Sequence, residues 1–418
     1  MITSVLGRVV ERISVRRLEP TSWVIFIGVT LYFVITHAGY HLVDLSVYRY
    51  GENSLLHGVN PYAGRASSGL PFTYPPFAAI VFAPISLLPD VLARALITAT
   101  GLACLLAIVR MLQRRLRPDV VVWWPALLLS SILVFSEPIR ETLRFGQVNL
   151  LLTALVMADV WQFGRRWQGA GIGIAAAMKL TPATAGIYWL AKGNWRAVIT
   201  SAATFALTVG LGFVVAPTGS RQYWIDGLAF DASRIGGTAY LGNQSLAGFV
   251  IRWGGSPSAL PSLRWVLSGL VLLIALATAW LLLRRPGGEV RALGVVVLAG
   301  LLSSPITWTH HWVWWPVIAA AVWETGSLEG VGVAWRRWCR GFVVVFGVVL
   351  LLGPIWWMPH GGDREFHRTL FQAIVGEIYV ELGILALVTL AVGAVRTHRS
   401  ALSVSPASSY QSERQATR

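Results

Sequence analysis

The chain alternates between long apolar runs and short polar segments. Ten of the runs approach the ~20 residues that a helix needs to cross a bilayer, and none shows the alternation of a barrel strand. These runs cover residues 21–39, 90–112, 119–136, 147–163, 196–216, 264–284, 290–303, 307–323, 341–358 and 374–395. The pattern therefore predicts an all-α polytopic membrane protein.

Two regions depart from this pattern. Lys179 interrupts an apolar stretch and leaves two half-spans, residues 169–178 and 181–191. Residues 72–89 are also apolar, but a full span there would move the next basic loop to the wrong side of the membrane. We therefore expect residues 72–89 to be interfacial or re-entrant. Together the runs predict about 10–12 transmembrane helices.

The composition supports a membrane protein and limits its chemistry. Of the 418 residues, 55% are hydrophobic and only 13% are charged, with a mean hydropathy of +0.62. Soluble domains carry roughly 25% charged residues. The two cysteines, Cys104 and Cys339, lie in or beside apolar runs. A disulfide framework or a cysteine metal site is therefore not expected.

Basic residues are concentrated on one side of this predicted topology. That side holds 22 of the 34 lysines and arginines, namely Arg8, Arg12, Arg16, Arg17, Arg110, Arg114, Arg115, Arg117, Arg165, Arg166, Lys192, Arg196, Arg284, Arg285, Arg291, Arg336, Arg337, Arg340 and four arginines of the tail. The positive-inside rule places both termini in the cytoplasm. The net charge of +15 then reports topology rather than nucleic-acid binding.

The same charge pattern divides the chain into three parts. We expect a basic cytoplasmic N-terminal segment (1–20), a transmembrane domain (21–395) and a disordered cytoplasmic tail (396–418). No cleavable signal peptide is predicted, because the first apolar run lacks a small-residue cleavage site.

Unusual polar residues collect on the opposite, outer side. Asp44 follows the first apolar run, and an ionisable residue at a membrane boundary is a functional hypothesis by default. The alternative is a turn aspartate that meets water. Three prolines and three aromatic residues in Leu70–Phe77, including Tyr74, leave the backbone little freedom. This segment could form the wall of a lipid-substrate groove or simply anchor the loop.

A second outer segment is rich in charges at helical spacing. Glu137, Arg140, Glu141 and Arg144 are spaced so that the two arginines share one helix face. They could form an ion-paired turn or bind phosphate, since the forked guanidinium matches phosphate oxygens. Gln147 and Asn149 follow and supply neutral groups suited to sugar hydroxyls.

Three further positions complete the candidates. Lys179 could extend to the interface, but a helix break beside a lysine is tolerated where it lines a polar cavity, which favours contact with a lipid phosphate. His310 and His311 lie among tryptophans that include Trp308. Adjacent histidines point to different helix faces, so we expect no zinc site. Asn243 and Gln244 in the long loop 217–263 could contact sugar or form an ordinary polar turn.

These motifs together resemble a known family. The segments Asp44–Tyr48, Leu70–Phe77, Glu137–Asn149, Lys179–Pro182, Asn243–Ser245 and Ser304–Trp314 occur in the order found in the polyprenyl-phosphate-mannose-dependent α-(1→2)-mannosyltransferases of glycosyltransferase family 87. The likeness covers roughly residues 20–395.

The resemblance implies a GT-C helical bundle in the cell membrane, with residues 21–395 as the catalytic domain and an extracytoplasmic active site. It implies polyprenyl-phosphate-mannose as donor and a glycolipid of the phosphatidylinositol mannoside type as acceptor, with surrounding membrane lipids as the other partners and no cofactor or metal. No glycine-rich loop or Asp-x-Asp motif for a nucleotide sugar is present.

By motif, Asp44 corresponds to the catalytic aspartate of the family, acting as general base in an inverting transfer. Lys179, Arg140, His310 and His311 would bind the donor phosphate. Sugar or acceptor contacts would come from the remaining candidates, which are Tyr74, Glu137, Gln147, Asn149, Asn243, Gln244 and Trp308. Two alternatives stay open. One is a transferase acting on lipomannan or lipoarabinomannan, or using another lipid-phosphate sugar; the other is a lipid transporter.

Overall fold

The computed structural model describes residues 2–328 and 330–404, with the backbone alone for residues 2–17 and 399–404. Helices dominate, and within these residues there is no β-strand beyond two isolated bridges, Arg65 with Pro71 and Asn243 with Trp308. The α-helices are α1 (Ile2–Ala38), α2 (Val43–Leu56), α3 (Pro76–Ser86), α4 (Asp90–Leu116), α5 (Trp124–Leu133), α6 (Glu137–Phe145), α7 (Asn149–Trp161), α8 (Ala170–Met178), α9 (Gly186–Lys192), α10 (Trp195–Val215), α11 (Pro217–Trp224), α12 (Leu246–Trp253), α13 (Pro261–Leu283), α14 (Glu289–Ser303), α15 (Trp315–Ser327), α16 (Val333–Leu352), α17 (Leu370–Gly376) and α18 (Ile378–Val404). Short 3-10 helices cover Thr181–Ala185, Leu228–Phe230, Ala232–Arg234, Thr309–Trp314, Pro354–Trp357 and Arg364–Phe366.

Five helical segments in the described residues are long and apolar enough to cross a membrane. They are Leu18–Ala38, Asp90–Leu116, Trp195–Val215, Pro261–Leu283 and Ile378–His398. The pair α6 and α7 would make a sixth, but the two helices are bent by 114° at their junction. The chain is therefore a multi-pass membrane protein, with fewer full spans than the 10–12 that we expected.

The difference has a structural reason. Several predicted spans fold as short helices, such as α5 with 10 residues, α15 with 13 and α14 with 15. Every residue of α14 from Val290 to Leu302 is buried, and α14 packs against α13, α15 and α18. Apolar composition in such a helix reflects contact with protein as much as contact with lipid.

Other expectations concern the ends of the chain and residues 72–89. The apolar part of 72–89 forms α3, which has 11 residues and is too short to cross a bilayer alone. The backbone of the basic leader is continuous with α1. Of the predicted tail, residues 396–404 continue α18, and residues 405–418 lie outside the described residues.

The bend between α6 and α7 brings distant segments together. Gly146 ends α6 with a left-handed φ of 71°, and a Cβ there would lie 2.9 Å from Cβ of Leu45 in α2. Glycine therefore permits both the turn and the close approach of α2. The result is that Gln147, in the junction between α6 and α7, faces the first two turns of α2.

Candidate active site

Helix α2 carries the first part of the site. Four residues separate it from the end of α1, and Asp44 lies in its first turn, half-buried. Tyr48 lies one turn later on the same face and is fully buried, with its ring stacked on Phe82 at 4.3 Å. The helix therefore presents a carboxyl group and a phenol side by side to the interior.

Three side chains from separate segments meet beside Asp44. The Tyr48 hydroxyl donates to Oε1 of Gln147 at 2.8 Å, and Nε2 of Gln147 donates to the Tyr74 hydroxyl at 3.0 Å. The hydroxyls of Tyr48 and Tyr74 are 3.3 Å apart. The predicted candidates Tyr74 and Gln147 are therefore in direct contact, and Tyr48 joins them.

Burial and the neighbouring side chains set the pKa of Asp44. Burial raises the pKa of Asp44 from 3.8 to about 6, while the Gln147 side chain and the Lys179 ammonium act in the opposite direction. A base is most effective when its pKa lies near the working pH. Asp44 is thus ionised at neutral pH and is a stronger base than an exposed aspartate.

Lys179 lies at the helix break predicted from the sequence, between α8 and the 3-10 turn Thr181–Ala185. Its Nζ donates to Oδ1 of Asn149 at 2.9 Å and lies 3.0 Å from Nε2 of His311. The same Nζ is 6.0 Å from the centre of the Tyr74 ring. Tyr74 therefore connects the Asp44 side of the site with Lys179.

The histidine segment is held in place through its backbone. The carbonyl oxygen of His310 accepts hydrogen bonds from Thr142 Oγ1 at 2.9 Å and Asn149 Nδ2 at 3.0 Å. The rings of His310 and His311 are perpendicular, 4.8 Å apart. Within the part of the chain that the structure describes, Nε2 of His310 and Nδ1 of His311 are buried without a hydrogen-bond partner. These nitrogens retain capacity for a ligand.

A small open cleft of about 40 Å³ leads away from Lys179. Lys179, His311 and Asn149 form its polar end. Three threonines also line the cleft, and the rest of the wall is apolar and includes Leu152, Val297, Leu301, Val313 and Trp314. The cleft therefore joins a cationic group to an apolar surface.

Two charged candidates lie apart from the Lys179 contacts. Arg140 is exposed, and its Nε lies 3.7 Å from the carboxylate of Glu141. Glu137 is fully buried, and its two oxygens accept hydrogen bonds from Trp356 at 2.7 Å and Tyr379 at 3.0 Å. The described contacts of Glu137 connect α6 with the C-terminal part of the bundle.

The two candidates in the long loop 217–263, Asn243 and Gln244, also form hydrogen bonds within the protein. Asn243 donates to the Thr238 carbonyl at 2.9 Å and accepts from the Thr307 backbone N–H at 2.9 Å. Gln244 donates to the carbonyls of Leu241 and Gly376, both at 2.8 Å. Both side chains are fully buried, so they fix the loop against the histidine segment.

Trp308 differs from these two residues. Its side chain is half-buried, and its ring lies 6.1 Å from that of Tyr240. Tyr240 in turn lies 6.1 Å from both Trp356 and His360. This aromatic surface offers the kind of face on which sugars stack, and residues from three loops form it.

Sequence reasoning missed a buried ion cluster that orders these loops. Arg252 and Arg368 both pair with Glu377, and all three side chains are at most 3% exposed. Arg252 also donates to the carbonyl oxygens of Tyr240 and Asn243, each at 3.0 Å. No spacing signal indicates this pairing, because 125 residues separate Arg252 from Glu377.

Comparison with known proteins identifies relatives that match most of this chain. A family model described as glycosyltransferase family 87 matches residues 72–305. A Mycolicibacterium smegmatis protein named polyprenol-phosphate-mannose-dependent alpha-(1-2)-phosphatidylinositol pentamannoside mannosyltransferase is 36% identical over 390 residues, which cover 87% of this chain and 89% of that protein. A second protein of that organism, named as the corresponding phosphatidylinositol mannoside mannosyltransferase, is 32% identical over 91% of this chain and 92% of its own length. Among solved structures, ArnT from Cupriavidus metallidurans bound to undecaprenyl phosphate aligns over 90% of this chain and 78% of that chain, with 16% identity and a TM-score of 0.36.

The molecule is thus a multi-pass membrane glycosyltransferase. The chain belongs to glycosyltransferase family 87. Asp44, His310 and His311 lie outside the residues that the family model matches. The roles proposed for these three residues therefore rest on the geometry of this chain.

Proposed function

We propose that the enzyme transfers mannose from polyprenyl-phosphate-mannose to a mannosylated glycolipid of the phosphatidylinositol mannoside type, forming an α-(1→2) link. The printed names of the relatives support this donor and this class of acceptor. The observation that carries the mechanism is the half-buried Asp44, whose pKa of about 6 suits a base and which faces the cationic group of Lys179.

In this proposal Asp44 takes the proton from the acceptor 2-hydroxyl as that oxygen attacks the anomeric carbon. A single displacement inverts this carbon, so a β-linked donor gives an α-mannoside. The Tyr48 hydroxyl keeps its hydrogen bond to Gln147 beside Asp44. Because Gln147 also donates to Tyr74, both side chains remain near the sugar at the reacting centre.

The leaving group is a lipid phosphate, which is already a stable anion and needs no general acid. Lys179 stabilises the charge that develops on it, and the free nitrogens of His310 and His311 supply further hydrogen bonds. Asn149 orients both Lys179 and the histidine segment. The apolar wall of the cleft beside Lys179 suits a prenyl chain.

The predicted contacts farther from Lys179 divide into three groups. Trp308 offers an aromatic face for acceptor sugars. Glu137, Asn243 and Gln244 act on the site through the loops that they fix. Arg140, which is exposed, would meet donor phosphate only from the solvent side of α6.

Asp44→Asn tests the base directly. The variant keeps the size and polarity of the side chain, and we expect mannose transfer by the purified protein to fall about 10²–10⁴-fold. Asp226→Asn is the control, because Asp226 is an exposed aspartate on the loop that follows α11. Wild-type turnover by folded Asp44→Asn protein would exclude Asp44 as the base. Assays with arabinose or glucose donors, and with lipomannan as acceptor, separate the alternative transferases.

We also propose that the site faces the outside of the cell membrane. The concentration of 22 of the 34 basic residues in the loops at the other side supports this orientation. A membrane-impermeant thiol reagent should label Ser67→Cys in intact cells and should label Arg166→Cys only after lysis. The reverse labelling pattern would place the site in the cytoplasm.

A further inference from the structure

A second and larger cavity of about 370 Å³ lies on another face of α2. We name it the arginine pocket and define it by Arg49, Arg94, Asp90, His41, Ser67 and Asn53, all of which line it. Leu42 and Leu45 separate it from the Asp44 side of the helix. None of its polar residues belongs to the site described above, so its chemistry requires a separate explanation.

Backbone carbonyl groups fix the two arginines in place. Nη1 of Arg49 donates to the carbonyls of Ile85 at 3.2 Å, in the last turn of α3, and Leu88 at 3.1 Å, just beyond it. Nη1 of Arg94 donates to the carbonyl of Ala38, which ends α1, at 3.3 Å. The guanidinium groups are therefore oriented before any ligand arrives, which lowers the entropic cost of binding.

The pocket carries an excess of positive charge. Asp90 lies between the arginines at 3.2 Å from each and is the carboxylate among the residues that line the pocket. Its side chain is 61% exposed, so these ion pairs are weak and a ligand can compete for the arginines. Nearby, burial raises the pKa of Glu52 to about 8 against the opposing effect of Arg49. Glu52 is therefore largely uncharged at neutral pH and does not neutralise Arg49.

The pocket lies beside the ends of two apolar helices. It lies between the end of α1 and the beginning of α4, two helices with candidate membrane spans. Leu87, Val91 and Leu92 at this edge are all more than half exposed. Lipid tails can cover such side chains, and this arrangement places the arginines at the depth of lipid headgroups.

We propose that the arginine pocket binds the phosphodiester of the glycolipid acceptor. The inference rests on the proposed function and names the part of the acceptor that is recognised far from the reacting hydroxyl. Guanidinium groups match phosphate oxygens, and Ser67, Asn53 and His41 face the sugar hydroxyls that adjoin the phosphate. The mannose chain then passes the beginning of α2, a helix about 10 Å across, to reach Asp44.

The kinetic test uses Arg94→Gln with two acceptors, one that carries the phosphodiester and a soluble mannoside that lacks it. We expect KM for the phosphodiester acceptor to rise about tenfold. KM for the phosphate-free mannoside and for the donor should not change. Arg117→Gln is the matched control, because Arg117 is an exposed arginine at the other end of α4 that also pairs with an aspartate.

Two further variants guard against a folding defect. Arg94→Lys keeps the charge and should recover part of the affinity. Asn53→Asp adds a negative charge at an exposed position of the pocket and should weaken the same acceptor without a change of size. Equal losses with both acceptors, or a rise in the donor KM, would overturn the proposal.

Binding measurements separate this inference from the proposed reaction. Asp44→Asn protein in neutral-detergent micelles should bind the phosphodiester glycolipid, and Asp44→Asn/Arg94→Gln protein should bind it about tenfold more weakly. This readout holds even if the donor or the base has been assigned incorrectly. Equal binding by the two proteins, or equally strong binding of phosphatidylglycerol that depends on Arg94 in the same way, would contradict recognition of the acceptor.

Discussion

Two sets of residues bury charge. One is Lys179 with Asn149, His310 and His311 (the Lys179 group), and the other is Arg252 with Arg368 and Glu377 (the Arg252 ion cluster). They differ in how much of their hydrogen-bonding capacity is used. Glu377 is paired with Arg252 and Arg368, and Arg252 also donates to two carbonyl groups. Among the described atoms of these three side chains, only Nη1 of Arg368 is buried without a partner. Around Lys179, ring nitrogens of His310 and His311 lack partners among the described residues. Buried polar groups that lack partners are costly to fold.

This difference separates a structural network from a binding network. A buried network in which each charged side chain has an ion-pair partner rigidifies the fold, and its loss appears as instability. A network with unpaired groups gains its partners when a ligand binds. The comparison predicts that changes at Lys179 affect turnover, whereas changes at Arg252 affect folding.

Lys179→Ala should have the largest effect on turnover. Loss of the cation beside the leaving phosphate should lower kcat about 10²–10³-fold. The unfolding temperature should stay equal or rise, because a buried charge is removed. Lys192→Ala is the control, since Lys192 is exposed at the end of α9. Unchanged kcat together with a lower unfolding temperature would make Lys179 a structural residue.

Arg252→Met should have the largest effect on stability. It leaves Glu377 with one cationic partner and frees the carbonyls of Tyr240 and Asn243, at a cost of about 3–5 kcal/mol. Thermal unfolding in detergent measures this loss, and protein that remains folded should keep its KM for donor. Arg221→Met, which removes an exposed ion pair with Asp226, should change stability by less than about 1 kcal/mol. If the two variants were equally stable, the cluster would not order the loops.

Two asparagines that look alike in the sequence should give opposite results. Asn243→Ala leaves the Thr307 N–H without its acceptor, so it should cost about 1–3 kcal/mol of stability with little change in the kinetics of the folded protein. Asn149→Ala removes a partner of Lys179 and should lower kcat/KM about tenfold. Similar kinetic profiles for the two variants would erase the distinction between the two networks.

The sequence predicts the parts of the structure that depend on long or repeated signals. The apolar windows locate α1, α4, α10, α13 and α18, because each contains an apolar stretch long enough to cross a bilayer. The break at Lys179 was also predictable, because a lysine with Thr-Pro two residues later cannot continue an apolar span. The short buried helices could not be distinguished from spans, since burial in protein and in lipid favours the same side chains.

The site was predictable to a similar extent. Asp44, Tyr74, Gln147, Asn149, Lys179 and His311 do lie close together, as their shared side of the membrane indicated. Tyr48, one helical turn from Asp44, could have been added from spacing alone. The internal roles of Asn243 and Gln244 could not be predicted, because an amide that binds a sugar and one that binds a carbonyl give the same local pattern.

The pH profile gives the smallest and most specific effect. The raised pKa of Asp44, about 6, means that the carboxylate is present above pH 6 and is lost as the pH falls through 6. The base is the ionised form, so kcat/KM should decrease about tenfold for each pH unit below 6. Arg252→Met should keep this profile, whereas the residual activity of Asp44→Asn should show no step there. A midpoint near 4 in the wild-type enzyme would mean that Asp44 behaves as an ordinary exposed aspartate. The contrast between the two networks would then no longer include a base with a raised pKa.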